Sequence, residues 1–152
     1  MQQQLASKLF QYITINNPDL LFNLQADRHV SVYIQEKIRS VEKLVEQLTQ
    51  AKTPEYLIIE QCMDALTDDL RPSRYLYIKN ILETEFEENA IRMKEAGVMT
   101  YEICSLITYC DPVFSALEFS QATEDSQPIY NAITGSIAEF FDASDKSVTN
   151  GL

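Results

Sequence analysis

The sequence predicts an all-α protein, a compact bundle of about five to seven helices in a single domain. The 152-residue chain has only three glycines, which leaves little material for hairpins, bulges or phosphate-binding loops. Apolar residues recur at intervals of three and four along most of the chain, which is the periodicity of a buried helix face. No segment shows the strict alternation that is typical of a strand.

Two elements are expected in the first third of the chain. A first helix ends near residue 15, before "NNPD", and residues 16–24 are expected to form a connector or short turn. A long helix is then predicted over residues 30–48. We expect it to pack on its own domain, with an intermolecular coiled coil as the alternative. The apolar stripe that predicts it consists of Val30, Ile34, Ile38, Val41, Val45 and Leu48.

Two further helices are expected around the centre of the chain. The third begins at "TPEY", with Thr53 as the N-cap and Pro54 at the first helical position. The fourth begins after "RPS", with Ser73 as its cap, and either runs to Glu95 or breaks near Glu87. The buried face of the third helix is expected to contain Tyr56, Ile59, Met63, Leu66 and Leu70, widened by Ile58 and Cys62.

A fifth helix opens at Thr100 and reaches Asp111-Pro112. This dipeptide is expected to end or kink the helix, because proline lacks an N–H and clashes with the preceding turn. Asp111 would then cap a short helix through Phe119.

The last helix follows a polar loop at residues 120–128. Gly135 costs about 1 kcal/mol in a helix interior relative to alanine, so it is expected to mark a close helix crossing. We expect the helical domain to span residues 1–143. The small, polar residues 144–152 are expected to form a flexible C-terminal tail.

The charge of the chain narrows the classes of partner. Twelve Lys and Arg stand against 23 Asp and Glu, for a formal net charge of −11. No basic stripe is present, so direct nucleic-acid binding is not expected. A carboxylate surface that mimics DNA and inhibits a DNA-processing enzyme is an alternative, although net negative charge more commonly serves solubility.

The cysteines and the apolar segments indicate a cytoplasmic protein. Cys62, Cys104 and Cys110 do not form a disulfide framework and are interpreted as small hydrophobic residues. The N-terminus lacks the apolar run of a signal peptide. No segment has the roughly 18 to 20 apolar residues that a membrane span needs.

No catalytic, cofactor-binding or metal-binding residue is assigned. His29 is the only histidine, so a multi-histidine zinc site cannot be built from this chain, and His29 is interpreted as a structural residue rather than a catalytic one. Glu83 and Glu87 fall four apart in "ETEFEE", where a cation would relieve their repulsion. A metal-assisted hydrolase is therefore a third hypothesis, beside the simpler interpretation of a solvated acidic face.

The stretch "DALTDDLRPSRY" holds the candidate site. Carboxylates near a helix C-terminus are disfavoured by the dipole, and the two following arginines can compensate. The preferred interpretation is a charge-balanced corner between the third and fourth helices, and the alternative is a partner-binding corner. Its candidate residues are Asp68, Asp69, Arg71, Arg74 and Tyr75.

Residues 60–86, "EQCMDALTDDLRPSRYLYIKNILETEF", resemble the central signature of a bacterial family, typical of the Bacteroidetes, known as domain of unknown function 1896. "NPDLLFNLQADRHVSVY" upstream and "YNAITGSI" downstream are similar to its proline-aspartate turn and its Thr-Gly-x-Ile ending. Asp69 and Pro72 depart from it, since the family commonly has glycine and phenylalanine there. The matching positions of the signature are Glu60, Met63, Leu66, Leu70, Ser73, Tyr75, Glu85 and Phe86.

The resemblance implies a compact all-helical domain. It also implies a genomic setting, because the family's members are often encoded among genes of conjugative or other mobile elements, and it brings no established activity. Together with the composition, it leads us to expect a non-enzymatic accessory or protein-binding domain that works without a cofactor. The expected partner is another protein, and a dimer is an open alternative.

Overall fold

The computed structural model describes the backbone of residues 1–150 and the side chains of residues 1–145. This part of the chain is helical and contains no strand, which confirms the all-α, multi-helical class. The helices are α1 (Gln2–Asn16), α2 (Pro18–Ala26), α3 (Val30–Ser40), α4 (Glu42–Gln50), α5 (Glu55–Thr67), α6 (Arg74–Glu85), α7 (Glu87–Ala96), α8 (Met99–Ala116) and α9 (Gln127–Asn150), with a one-turn 3₁₀ helix (Asp68–Leu70) after α5.

The chain divides into two compact units, and each has its own apolar core. The first unit is Met1–Arg71 and the second is Pro72–Leu152. The organisation as one helical domain over residues 1–143 stays a prediction. The first core contains Leu5, Leu9, Ile13, Ile38, Val41, Ile58, Cys62 and Leu66. The second core contains Tyr75, Ile78, Ile81, Leu82, Ala90, Met93, Met99, Ile103, Leu106, Ile107, Cys110, Phe114, Ile129, Ile133 and Ile137.

The connector expected at residues 16–24 is a helix. Pro18 stands at the first position of α2 and Asp19 in its first turn, which suits the fixed φ of proline and the positive end of the helix dipole. The proline therefore begins a helix as well as following one. This is one reason why the described residues form more helices than the five to seven predicted.

The long helix expected over residues 30–48 is two helices. The chain turns at Val41, which has φ −108° and ψ 6°, and which is buried in the first core. Ile38 is also buried, and Ile34, Val45 and Leu48 pack against the same core. Five of the six stripe residues thus pack on the core of their own unit, as expected, while Val30 is not part of that packing, and the bend brings Val41 inward.

The predicted start and buried face of the third helix need correction. Pro54 is the residue that precedes the first turn of α5, and no side-chain cap hydrogen bond is present there, so Thr53 is not the cap. Tyr56 is 69% exposed. The buried face is instead centred on Ile58, Cys62 and Leu66, which follow one another at four-residue spacing.

The fourth predicted helix breaks, as the second of the two alternatives had it. Phe86 separates α6 from α7, and it packs against the second core. Gly97 ends α7 in the left-handed conformation, with φ 72°, the region that glycine adopts without steric cost.

Two expectations about α8 and α9 are wrong. The helix continues through Pro112 to Ala116, so Asp111 is not the cap of a new helix. Pro112 is exposed and lies near the C-terminal end of α8. Gly135 is also exposed, and a Cβ added to it would meet no atom within 4 Å, so it does not mark a close crossing.

The C-terminal helix α9 extends to Asn150. The flexible tail expected over residues 144–152 stays a prediction, and residues 151 and 152 lie outside the described part of the chain. Within that part, no helix combines the length and the apolar character that a membrane crossing requires.

Candidate functional site

Arg71 forms hydrogen bonds with the C-terminal turn of α5. Its Nη2 donates to the carboxylate of Asp64 at 3.0 Å and to the Asp64 carbonyl at 3.1 Å, and its Nε donates to the Thr67 carbonyl at 3.3 Å. The Asp68 carboxylate lies 3.5 Å from the same guanidinium. Arg71 thus adds side-chain donors to two carbonyls in the last turn of α5 and positive charge where the dipole is negative. The charge of Asp64 and Asp68 is thus balanced, as expected, but by Arg71 alone, since Arg74, the second arginine expected to compensate, pairs with Asp111.

Asp69 is balanced by a lysine and not by the arginines. Both of its carboxylate oxygens lie 2.8 Å from Lys37 Nζ. The Lys37 side chain is only 19% exposed, and its Nζ lies 6.0 Å from the centre of the Tyr33 ring. Burial, followed by the negative charge of Asp69, raises the pKa of Tyr33. This contact joins the 3₁₀ turn to α3, a pairing that residue spacing alone did not indicate.

The C-terminal residues of the predicted corner, Ser73, Arg74 and Tyr75, belong to the second unit. Ser73 caps α6, since its Oγ accepts a hydrogen bond from Leu76 N at 3.0 Å, as predicted. Arg74 pairs with Asp111 at 2.7 Å. Tyr75 is only 7% exposed, and its Oη lies at hydrogen-bond distance, 3.2 Å, from Thr100 Oγ1.

The five candidate residues differ in how much of each one is exposed. Asp68 and Asp69 are exposed, and Arg71 is partly exposed, so they can still meet a partner. Tyr75 presents almost no surface. That all five act together as one partner-binding surface stays a prediction.

A groove beside α5 in the first unit was missed by the sequence reasoning. Its volume is about 800 Å³. Glu60, Asp64 and Asp68 follow one another at four-residue spacing and line it with carboxylates, while Tyr12 from α1 and Leu44 from α4 contribute apolar surface. The full lining is Tyr12, Leu44, Glu60, Gln61, Met63, Asp64, Ala65, Thr67, Asp68 and Arg71. The acidic spacing was visible in the sequence, but part of the apolar lining comes from α1 and α4, which are distant in the chain.

Glu83 and Glu87, which suggested a metal site, do not lie on one continuous helix. Glu83 lies on α6 and Glu87 on α7, with the break at Phe86 between them, so the two are not successive positions on one helix face. Glu83 lies 3.6 Å from Lys94 Nζ. Among the residues whose side chains are described, no group of three or more His, Cys, Asp or Glu could hold a metal ion.

His29 and the three cysteines are further potentially reactive side chains. His29 is exposed at the start of α3 and makes no cap hydrogen bond. Cys62 and Cys110 are buried and Cys104 is partly exposed. Burial raises the pKa of Cys62 and that of Cys110 to about 11. A raised pKa disfavours the thiolate, which is the nucleophilic form, so these two thiols behave as apolar core residues.

Comparison with known proteins adds no assignment, since no family model, no curated protein and no solved structure matches the chain. The resemblance to the domain of unknown function 1896 therefore stays a prediction.

Proposed function

We propose that this protein is a non-enzymatic accessory domain that binds another protein through the groove beside α5. The observation that carries the proposal is the composition of the groove, in which a row of three carboxylates runs alongside half-buried apolar side chains. Protein interfaces commonly combine an apolar centre with polar groups that set the choice of partner.

The apolar side chains that line the groove support a protein partner. Tyr12, Leu44 and Met63 are each partly buried, and each lines the groove. A partner side chain that covers them would remove apolar area from water, at about 25 cal/mol per Å². The carboxylates give such a contact a preferred charge, which would separate a specific partner from other apolar surfaces.

The family resemblance suggests a genomic setting for the proposed function. If the chain is a member of the domain of unknown function 1896, its partner belongs to the machinery of a mobile genetic element in the cytoplasm. The proposal does not depend on that setting, because it rests on the groove.

The test uses affinity-tagged full-length protein in native cells, as wild type, Glu60→Lys and Glu36→Lys. Glu60 lines the groove. Glu36 is the matched control, because it is an exposed glutamate on α3 of the same unit and lies outside the groove. We expect quantitative mass spectrometry to find a protein enriched with wild type and Glu36→Lys and lost with Glu60→Lys. Recovery of no specific protein, or equal recovery with all three, contradicts the proposal.

A further inference from the structure

We infer that the occupant of the groove beside α5 is a cationic amphipathic helix of the partner protein, seated with a positive side chain opposite Glu60. The inference rests on the proposed function and adds the chemistry of the partner. It follows from the distribution of charge along the groove, the apolar side chains in it and the secondary structure of its walls.

The three carboxylates of the groove differ in their ion pairs. Arg71 lies 3.0 Å from the Asp64 carboxylate and 3.5 Å from that of Asp68, so it offsets the charge at its own end. No ion pair reaches Glu60 from any residue whose side chain the structure describes. A positive partner side chain can therefore pair with Glu60 without displacing Arg71, and Asp64 lies one helical turn away.

The groove also requires an apolar face on its occupant. Tyr12, Leu44 and Met63 line it and are partly buried, and a uniformly charged segment would leave them in contact with water. The face of the Tyr12 ring can attract a lysine or arginine as well as an apolar group. A segment with one apolar and one cationic face satisfies both kinds of lining.

The helices that line the groove favour a helical occupant over an extended one. An extended peptide gains affinity by hydrogen bonding to a free sheet edge. Here the walls come from α1, α4 and α5, whose backbone groups are bonded within each helix. A helical occupant needs no backbone partners. Positive side chains four residues apart on it rise by about 6 Å, the same rise that separates Glu60 from Asp64 along α5.

The probe is a fluorescently labelled synthetic peptide of leucine and lysine, about 14 residues long and thus roughly 21 Å as a helix. Its lysines stand four residues apart on one face. Two control peptides are used, one with the same composition in scrambled order and one with glutamate in place of lysine. Binding to the full-length protein is measured by fluorescence anisotropy at about 0.15 M salt, where long-range attraction to the acidic chain is screened.

The protein variants are Glu60→Lys, Ala65→Lys and Glu36→Lys. Ala65 is exposed and lines the groove, so Ala65→Lys adds bulk and positive charge there without removing any described contact. Circular dichroism and thermal melting first establish that each variant folds like wild type. We expect the helical peptide to bind wild type, and Glu60→Lys and Ala65→Lys each to weaken binding about tenfold. Glu36→Lys is expected to change it less than twofold.

Equal weakening by Glu36→Lys, or equal binding of the scrambled or glutamate peptide, overturns the inference. A dimer in sedimentation that Glu60→Lys dissociates would also overturn it, because the occupant would then be a second copy of the chain. Absence of peptide binding, with capture from cells still dependent on Glu60, rejects the cationic helix and leaves the proposed function standing. Failure of both experiments rejects both.

Discussion

Arg74 and Asp111 join the start of α6 to α8 through an ion pair with an Nη1 to Oδ1 distance of 2.7 Å. The Arg74 guanidinium also lies 4.8 Å from the centre of the Phe114 ring. One side chain therefore makes a charge contact and a cation–π contact on the same helix. Both side chains of the ion pair remain partly exposed, which keeps the expected stabilisation modest.

Asp111→Asn is expected to lower the free energy of unfolding by about 0.5 to 1 kcal/mol, since the asparagine keeps the shape of the side chain and loses its charge. A double-mutant cycle with Arg74→Ala in urea unfolding measures the coupling. Asp125→Asn is the matched control, because Asp125 is exposed in the segment between α8 and α9. A coupling energy of zero would show that the contact contributes nothing in solution.

The two described helix-associated glycines are expected to respond to alanine with opposite signs. Gly97 has φ 72°, where a Cβ is strained, so Gly97→Ala is expected to destabilise by about 1 to 2 kcal/mol. Gly135 lies within α9 with free space around the Cα, so Gly135→Ala is expected to stabilise by about 1 kcal/mol. Thermal melting of both variants provides the measurement. Destabilisation by Gly135→Ala would mean that its surroundings are tighter than the structure shows.

The aromatic cluster of the second unit should depend strongly on Phe114. Its side chain is fully buried, and its ring centre lies 5.8 Å from that of Tyr77 and 4.8 Å from that of Phe119. Phe114→Ala is expected to cost about 3 to 5 kcal/mol in chemical denaturation.

Tyr101→Ala on the same helix is the control for this substitution. Tyr101 is 69% exposed, so its loss is expected to change stability by less than about 0.5 kcal/mol. Equal losses for the two variants would contradict the placement of Phe114 at the centre of this core.

The sequence predicted the helical class because helix periodicity is local. The predictions that were wrong concern segments whose local sequence is compatible with more than one structure. Pro18 ends one helix and begins the next, Pro112 stands inside a helix that it was expected to stop, and the apolar stripe through Val41 continues across a bend. In each case the local sequence permits either outcome, and contacts elsewhere in the chain decide.

In the candidate site, likewise, contacts between nearby residues were predictable and contacts between distant residues were not. The pairing of Arg71 with Asp64 and Asp68 spans seven residues or fewer and was predictable from helix-end electrostatics. The partners of Asp69 and Arg74 are 32 and 37 residues away, beyond the reach of spacing arguments. The groove was missed for the same reason, because Tyr12 of α1 and Leu44 of α4 complete its apolar lining, and only Met63, Ala65 and the acidic row are local to α5 and the 3₁₀ turn after it.

Cys110 should make the stability of the protein fall at alkaline pH. Burial raises the pKa of its thiol from the ordinary value of 9.0 to about 11. Between about pH 9 and pH 11 the folded chain keeps this proton while the unfolded chain loses it. The free energy of unfolding therefore falls as pH rises through this range. The contribution is complete below pH 9, and each pKa unit corresponds to about 1.4 kcal/mol.

Urea unfolding at a series of pH values from 8 to about 11 measures this slope. Cys110→Ala is expected to be less stable at pH 8, because it leaves a small cavity, and to show a shallower decline above pH 9. Ile107→Val is the control, because it shortens another buried side chain of α8 and carries no proton. It should lose stability equally at every pH. Burial also raises the pKa of Tyr77, so part of the decline should persist in Cys110→Ala. An unchanged slope in that variant would show that the Cys110 thiol ionises as readily in the folded chain as in the unfolded one.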